Sequence, residues 1–157
     1  MSNLNSSFGF GAPEDSPGFL LWKTTMTWQR AIKKALDPFD ITHPQFVILA
    51  ILLWFEESEI IPNQVLIITQ SKLDKMTVSK SIKSLALKEL VARDEHPEDT
   101  RAKSVCLTKS GIKLAKKLVG IVESIDAKYF GILNKQDQKN FVQALGKLSQ
   151  TSSTQFF

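Results

Sequence analysis

Asp74-Lys75-Met76-Thr77-Val78-Ser79-Lys80-Ser81-Ile82-Lys83-Ser84-Leu85-Ala86-Leu87 is the stretch on which the fold turns. From Met76 to Leu87, at about 100° per residue, Val78, Ile82 and Leu85 fall on one face, and Met76, Ser79, Lys80, Lys83 and Leu87 on the other. The spacing predicts an amphipathic helix with one face in the core and a mostly cationic face turned outward. Between Lys72 and Lys88 five lysines stand against the single acid Asp74, a local charge of +4. A charge run is most often only a solvated face, but this sign also suits a polyanion. Asp74 is placed to cap the helix by accepting the N–H near Thr77, which also sets an acid at the positive end of the dipole.

Past Leu90 the period changes. Val91 and Arg93 alternate, a turn-rich His96-Pro97-Glu98-Asp99-Thr100 follows, and then Ser104-Val105-Cys106-Leu107. Two short β-prone runs about a centre containing Pro and Asp read as a hairpin. A helix that runs at once into a hairpin is the layout of a winged helix, whose helix enters the major groove while the hairpin reaches the adjacent backbone or minor groove. Just upstream, a short helix from about 63 to 71 carries Val65, Leu66, Ile67 and Ile68, expected to pack beneath the lysine helix and complete a helix-turn-helix.

Farther out, Thr42-His43-Pro44-Gln45 sets a hydroxyl three residues before a Gln, with Pro in the first turn, the signature of a helix start. That helix carries Phe46, Val47 and Leu49 and runs to about Glu56. Before it, Phe19, Leu21, Trp22, Met26, Ile32 and Leu36 recur near helical spacing in a first helix that Asp37-Pro38 ends. After the hairpin, Thr108 is placed to cap a long fifth helix through Leu114, Leu118, Ile121, Val122 and Ile125. Asn134 opens a sixth helix with Phe141, Leu145 and Leu148 on one side. The first 17 residues, rich in Ser, Asn, Gly and Pro, are expected to be a mobile arm, and residues 149–157 a flexible tail. The expected architecture is mainly α with a small β-wing and about six helices. A single domain spans 18–148, with its winged helix-turn-helix core at about 42–107.

Composition bounds the function. A chain of 157 residues with 43% hydrophobic residues supports one domain with a real core. The net charge of +4 permits nucleic acid without requiring it, and the clustering of the lysines says more than the total. A lone cysteine, Cys106, excludes an internal disulfide framework and fits a reducing compartment, so a cytoplasmic location is expected. The longest nearly apolar run, Phe46 to Phe55, is half of what a bilayer span needs and reads as a buried helix, so no membrane partner is expected. No basic segment followed by an apolar stretch opens the chain, and export is not expected. Catalysis has no support: His43 and His96 stand far apart without neighbours at metal-ligand spacing, and no Gly-rich phosphate loop occurs. No cofactor, metal or enzymatic activity is expected. Cys106 on the second strand reads as a small half-buried hydrophobe.

Three runs together resemble the MarR (multiple-antibiotic-resistance regulator) family of bacterial winged helix-turn-helix transcription factors. They are Leu85-Ala86-Leu87-Lys88-Glu89-Leu90-Val91-Ala92-Arg93, His96-Pro97-Glu98-Asp99-Thr100-Arg101-Ala102 and Val105-Cys106-Leu107-Thr108-Lys109-Ser110-Gly111. The resemblance implies a homodimeric, sequence-specific double-stranded DNA-binding regulator, a repressor of pseudo-palindromic operators released by a small, often aromatic, effector. The helices at about 18–36 and 108–148 would then form the dimerisation layer. It places Met76, Thr77, Ser79, Lys80 and Lys83 in the major groove and Arg101 in the minor groove, with Lys103 beside it on the wing and Arg93 and Asp99 bracing it. An effector would lie near Trp22, Phe46 and Trp54. Four positions depart from the family pattern: Glu89 and Lys72 stand where glycine is usual, Ile68 where alanine is usual, and Thr100 where a second arginine is common. The alternative is a winged-helix module that has lost DNA and binds a protein partner, which an apolar outer face on the lysine helix would favour.

Overall fold

The computed structural model describes residues 6–95 and 103–151. Helix α1, Pro17–Leu36, begins where Pro17 fills the first turn and Ser16 Oγ accepts the Phe19 N–H at 3.3 Å. A 3₁₀ turn at Pro13–Asp15 precedes it, inside the segment expected from the sequence to be a mobile arm. A second 3₁₀ turn, Asp37–Phe39, ends on Asp40 in the left-handed region (φ 54°). Helix α2, His43–Glu57, opens with the expected reciprocal cap: Gln45 N–H donates to Thr42 Oγ1, and Thr42 N–H to Gln45 Oε1.

Helix α3, Gln64–Ser71, is capped by Asn63, and helix α4, Lys75–Leu87, by Asp74, which accepts the Thr77 N–H at 2.9 Å. Strands β1, Val91–Glu95, and β2, Lys103–Leu107, pair antiparallel from Val91 opposite Leu107 to Glu95 opposite Lys103. The wing also has a third edge, supplied by the residues that lead into α3. Asn63 bridges Ser104, and Val105 N–H donates to Pro62 O at 3.0 Å. Helices α5, Lys109–Phe130, and α6, Lys135–Ser149, complete, among the described residues, the expected six helices and two-stranded wing.

Contacts divide the chain into two compact units, the first ending at Ile121 and the second beginning at Val122, within α5. In the first, Ile48, Leu49 and Leu52 of α2, Ile67 of α3, Val78, Ile82 and Leu85 of α4 and Val105 of β2 are fully enclosed, with Ala115 and Leu118 of α5. Each such aliphatic side chain contributes about 1.5–3 kcal/mol relative to exposure. The apolar run from Phe46 to Phe55 is the buried helix its composition implied. Among the described residues no single helix is long and apolar enough to cross a membrane. Helix α3 departs from expectation: Ile67 is enclosed, Leu66 and Ile68 are half-buried, and Val65 is 69% exposed. Four consecutive residues of a 3.6-residue helix cannot share one face. In the second unit, Asn134 caps α6 through the Asp137 N–H at 2.8 Å, and the Phe130 and Phe141 rings lie 5.8 Å apart.

Helices α2, α3 and α4 each end on a charged residue in the left-handed conformation, Glu59, Lys72 and Glu89, at φ of 56°, 58° and 58°. At α4 the closure is double: Leu90 N–H reaches Leu85 O and Glu89 N–H reaches Ala86 O, both at 3.0 Å, and Leu85 and Leu90 are both buried. The two positions that depart from glycine in the family pattern, Lys72 and Glu89, thus keep a backbone conformation that glycine adopts most cheaply.

Candidate nucleic-acid interface

The outward face of α4 is built from the inside. Val78, Ile82 and Leu85 are wholly enclosed, and Ser81 joins them. That anchoring leaves Lys75, Met76, Ser79, Lys80, Lys83 and Leu87 exposed. Of the residues expected in the major groove, Met76, Ser79, Lys80 and Lys83 share this open face. Thr77 is half-buried, and its hydroxyl donates to Asp74 Oδ2 at 2.6 Å, so its proton serves the cap. These two bonds, the hydroxyl first, hold the Asp74 carboxyl below its ordinary range.

The five lysines of the sequence reading do not behave alike. Lys72, Lys75, Lys80 and Lys83 are exposed. Lys88 is drawn inward, where its ammonium donates to Asp40 O and lies 3.1 Å from Asp40 Oδ2. It neutralises an acid of its own chain, leaving the open face to the other four.

On the wing, Arg93 is exposed opposite Val105, and Lys103 is exposed at the start of β2. Asp99, Arg101 and Thr100 lie outside the described residues. The base of the wing is fixed by a junction of backbone groups. Thr108 N–H donates to Leu90 O at 3.1 Å, Thr108 Oγ1 donates to Glu89 O at 2.7 Å, and Gly111 N–H closes on Thr108 Oγ1 at 3.0 Å. A Cβ on Gly111 would stand 1.9 Å from Leu90 O, so only glycine fits. Cys106 is half-buried, and burial, with Glu56 and Asp94 adding repulsion, pushes its thiol up and away from the reactive thiolate.

The residues expected near an effector are not brought to one cavity. Trp22 is exposed on α1. Phe46 is buried, 6.4 Å from the His43 ring. Trp54 lines a cavity of about 320 Å³ with Ala50, Ile51, Phe55 and Gln70. A larger groove of about 490 Å³ opens between α1 and α2, lined by Met26, Gln29, Arg30, Lys33 and Asp37 and, across it, by Thr42, His43 and Pro44. Trp28 meets His43 edge-on at 5.2 Å. Its distinctive groups, Arg30 and His43, carry no sequence motif, because they meet only when the 3₁₀ turn folds α2 back against α1.

Among known proteins, the ArnR1-like winged-helix domain family matches residues 37–124. An uncharacterised HTH-type transcriptional regulator of Bacillus subtilis, YdcH, is 35% identical over 139 residues, 88% of this chain and 93% of that protein. The structure of BpsR from Bordetella bronchiseptica, described as regulated in DNA binding by 6-hydroxynicotinic acid, superposes with a TM-score of 0.81. It is 25% identical, covering 94% of this chain and all of that one. MepR of Staphylococcus aureus, solved in complex with DNA, superposes with a TM-score of 0.76. It is also 25% identical, covering 85% of this chain and 96% of that one.

Proposed function

We propose that this chain, which belongs to the ArnR1-like winged-helix domain family and is 35% identical to an HTH-type transcriptional regulator, is a homodimeric repressor of the MarR type, reading a pseudo-palindromic operator with two copies of α4 and released by a small aromatic effector. One observation carries the reading: α4 is anchored by three wholly enclosed aliphatic residues and turns Ser79, Lys80 and Lys83 to solvent on one side. Lysine ammonium groups at that spacing reach phosphates or guanine edges in the major groove. Dimerisation is supported by apolar side chains left open outside the reading head, Phe19, Leu20, Leu21 and Trp22 on α1 and Val142, Leu145 and Leu148 on α6. A dimer sets its two reading helices about one helical turn apart, and blocking polymerase at such a site represses. A protein that works on bacterial DNA works in the cytoplasm.

The α1–α2 groove suits a small aromatic acid: Arg30 offers a cation, Lys33 being paired with Asp37 at 2.8 Å, and His43, backed by Trp28, offers a ring edge. BpsR and its hydroxynicotinic acid provide the precedent in a related fold. Trp22, Phe46 and Trp54 do not line this groove.

The protein-partner reading draws on Met76 and Leu87, 66% and 80% exposed on the outer face of α4. They stand about 16 Å apart along the helix axis, with Ser79, Lys80 and Lys83 between them, and so form no continuous apolar patch. The wing separates the readings. Arg101→Ala is expected to cost about 1–3 kcal/mol in DNA affinity on a site with A·T-rich flanks and clearly less when the flanks are G·C-rich. Fluorescence anisotropy on the two duplexes measures this. Parent-like binding to both would remove the hairpin from DNA recognition and put a protein partner first.

A further inference from the structure

The segment from Asp40 to Gln45 has the α1–α2 groove on one side and the reading helix on the other. On the groove side stand Asp37, Thr42, His43 and Pro44. On the other side, two ties reach α4 one turn apart. The Gln45 side chain, buried, accepts the Thr42 N–H on Oε1 at 3.0 Å and donates from Nε2 to Ser84 Oγ at 3.1 Å. Asp40, through its carbonyl and its carboxylate, holds Lys88 at the C-cap of α4. Asp40 itself is hung from the groove, its N–H donating to Asp37 O at 3.0 Å.

The chemistry of the first tie makes it conditional. A carboxamide has one acceptor and one donor end. While the Thr42 N–H claims the oxygen, the amino group must face Ser84, and the cap and the cross-helix bond share one orientation. Turning the amide breaks both at once, and moving Thr42 takes away the N–H that fixes the amide's orientation; either leaves a buried polar group unpaired, which costs more than one such bond supplies. Ser84 and Lys88 lie four residues apart on α4, so a shift of the 40–45 segment acts on one side of that helix and tilts it relative to the core.

We propose that the Asp40–Gln45 segment, with Gln45 as its positioning residue, is the joint through which the contents of the α1–α2 groove set the orientation of α4 and hence DNA affinity. This rests on the effector reading above, and deepens it by naming the path.

The test is a double-mutant cycle on the full-length protein, with affinity read by anisotropy on a duplex recovered by selection from a random pool. Thr42→Val removes the hydroxyl of the cap and Ser84→Ala the partner of the amide. Each is expected to weaken DNA binding by about tenfold. Because both act through Gln45, the Thr42 hydroxyl on its backbone N–H and Ser84 on its side-chain amide, the double variant should be no weaker than about twofold below either single variant. Losses that multiply would overturn the proposal. Thr42→Ser and Ser84→Thr keep the hydroxyls and should restore parent affinity, which a general packing defect would not allow. Should Ser84→Ala not fold, Lys88→Met, at the half-exposed tie, takes its place in the cycle. Benzoate provides the second arm. It is expected to raise the melting temperature of the parent and of the Ser84→Ala/Lys88→Met variant alike, while releasing DNA at least about fivefold less from the variant. Equal release from both overturns the joint. Benzoate that neither binds nor releases the parent sinks only the aromatic-acid reading, and the cycle still decides this one.

Discussion

The two ends of α4 are made in different ways. Its N-terminus is a local device: Asp74 accepts from the Thr77 N–H and hydroxyl three residues on, both exposed to water. Its C-terminus is a crossroads of distant chain. Lys88 meets Asp40, Glu89 O meets Thr108, Leu90 O meets Thr108 N–H, and the Gly111 backbone lies against Leu90. Reading DNA requires one open end that presents side chains and one fixed end that sets their angle. The local cap leaves Lys75, Met76, Ser79 and Lys80 free to solvent, and the crossroads locks the helix to the wing and to the 40–45 segment.

Breaking the fixed end should produce the largest effect. Gly111→Ala drives a methyl group into the Leu90 carbonyl, where the obstacle is backbone and cannot rotate away. The loss expected is at least about 3 kcal/mol, the upper range for overpacking. Chemical denaturation measures it, and a variant within 1 kcal/mol of the parent, on the order of a surface change, would show that the junction is not rigid.

Smaller in energy is the contrast between lysines. Lys80→Ala or Lys83→Ala should lower the slope of log affinity against log salt by about one per lost phosphate contact, two for the proposed dimer. Lys88→Met should leave that slope unchanged, because its ammonium already faces Asp40. A salt titration at fixed duplex compares them. If Lys88→Met flattened the slope as much as Lys83→Ala, the division of α4 into an open and a tethered end would fail.

Legibility in the sequence follows the same division. The caps at Thr42, Asp74 and Asn134, the amphipathic split of α4 and the two wing strands depend on residues within four of one another, or on period, and all lay open to reading. The tethers did not. Gln45 to Ser84 spans 39 residues and Lys88 to Asp40 spans 48, and neither pair has a spacing rule. The ends of α2, α3 and α4 were read to within a residue, at about Glu56, 71 and Leu87, but the left-handed turns at Glu59, Lys72 and Glu89 were obscured for another reason. Residues 19–110 contain no glycine, so the usual stop signal is missing although the left-handed turns are present. The candidate groove was illegible because it is made by the fold of α2 on α1, and the aromatic residues that stood out in sequence, Trp22 and Trp54, lie on open surface.

The open end has its own pH signature. The Asp74 carboxyl is held below its ordinary range by Thr77, so its contribution is complete above the unfolded value of about 3.9 and disappears as the pH falls through the lower folded value. Asp74→Ala should lower the melting temperature by a few degrees at neutral pH and by less in acid, where the parent has also lost the charge. Asp74→Asn keeps an acceptor for the Thr77 N–H, and should retain most of the neutral-pH stability without the acid dependence. An alanine variant as stable as the parent at neutral pH would make this cap idle.

The smallest effect is a gain. Glu89 holds φ 58° with its side chain in water, so its left-handed conformation brings no side-chain contact to offset the strain of a Cβ near the following carbonyl. Its backbone nevertheless has to stay there. Glu89 N–H closes on Ala86 O, and Glu89 O accepts from Thr108 Oγ1, so the turn joins the end of α4 to the start of α5. Glycine relieves the strain at the cost of extra freedom in the unfolded chain, and the balance at a left-handed position is expected to be a stabilisation of about 0.5–1 kcal/mol. Glu89→Ala keeps the Cβ and should gain nothing, which separates backbone relief from the loss of a surface charge. Both variants should bind DNA like the parent, since the turn is already in the geometry that glycine prefers. If alanine and glycine stabilised equally, the gain would be electrostatic; if glycine weakened DNA binding, the stiffness of the left-handed glutamate would be part of what aims α4.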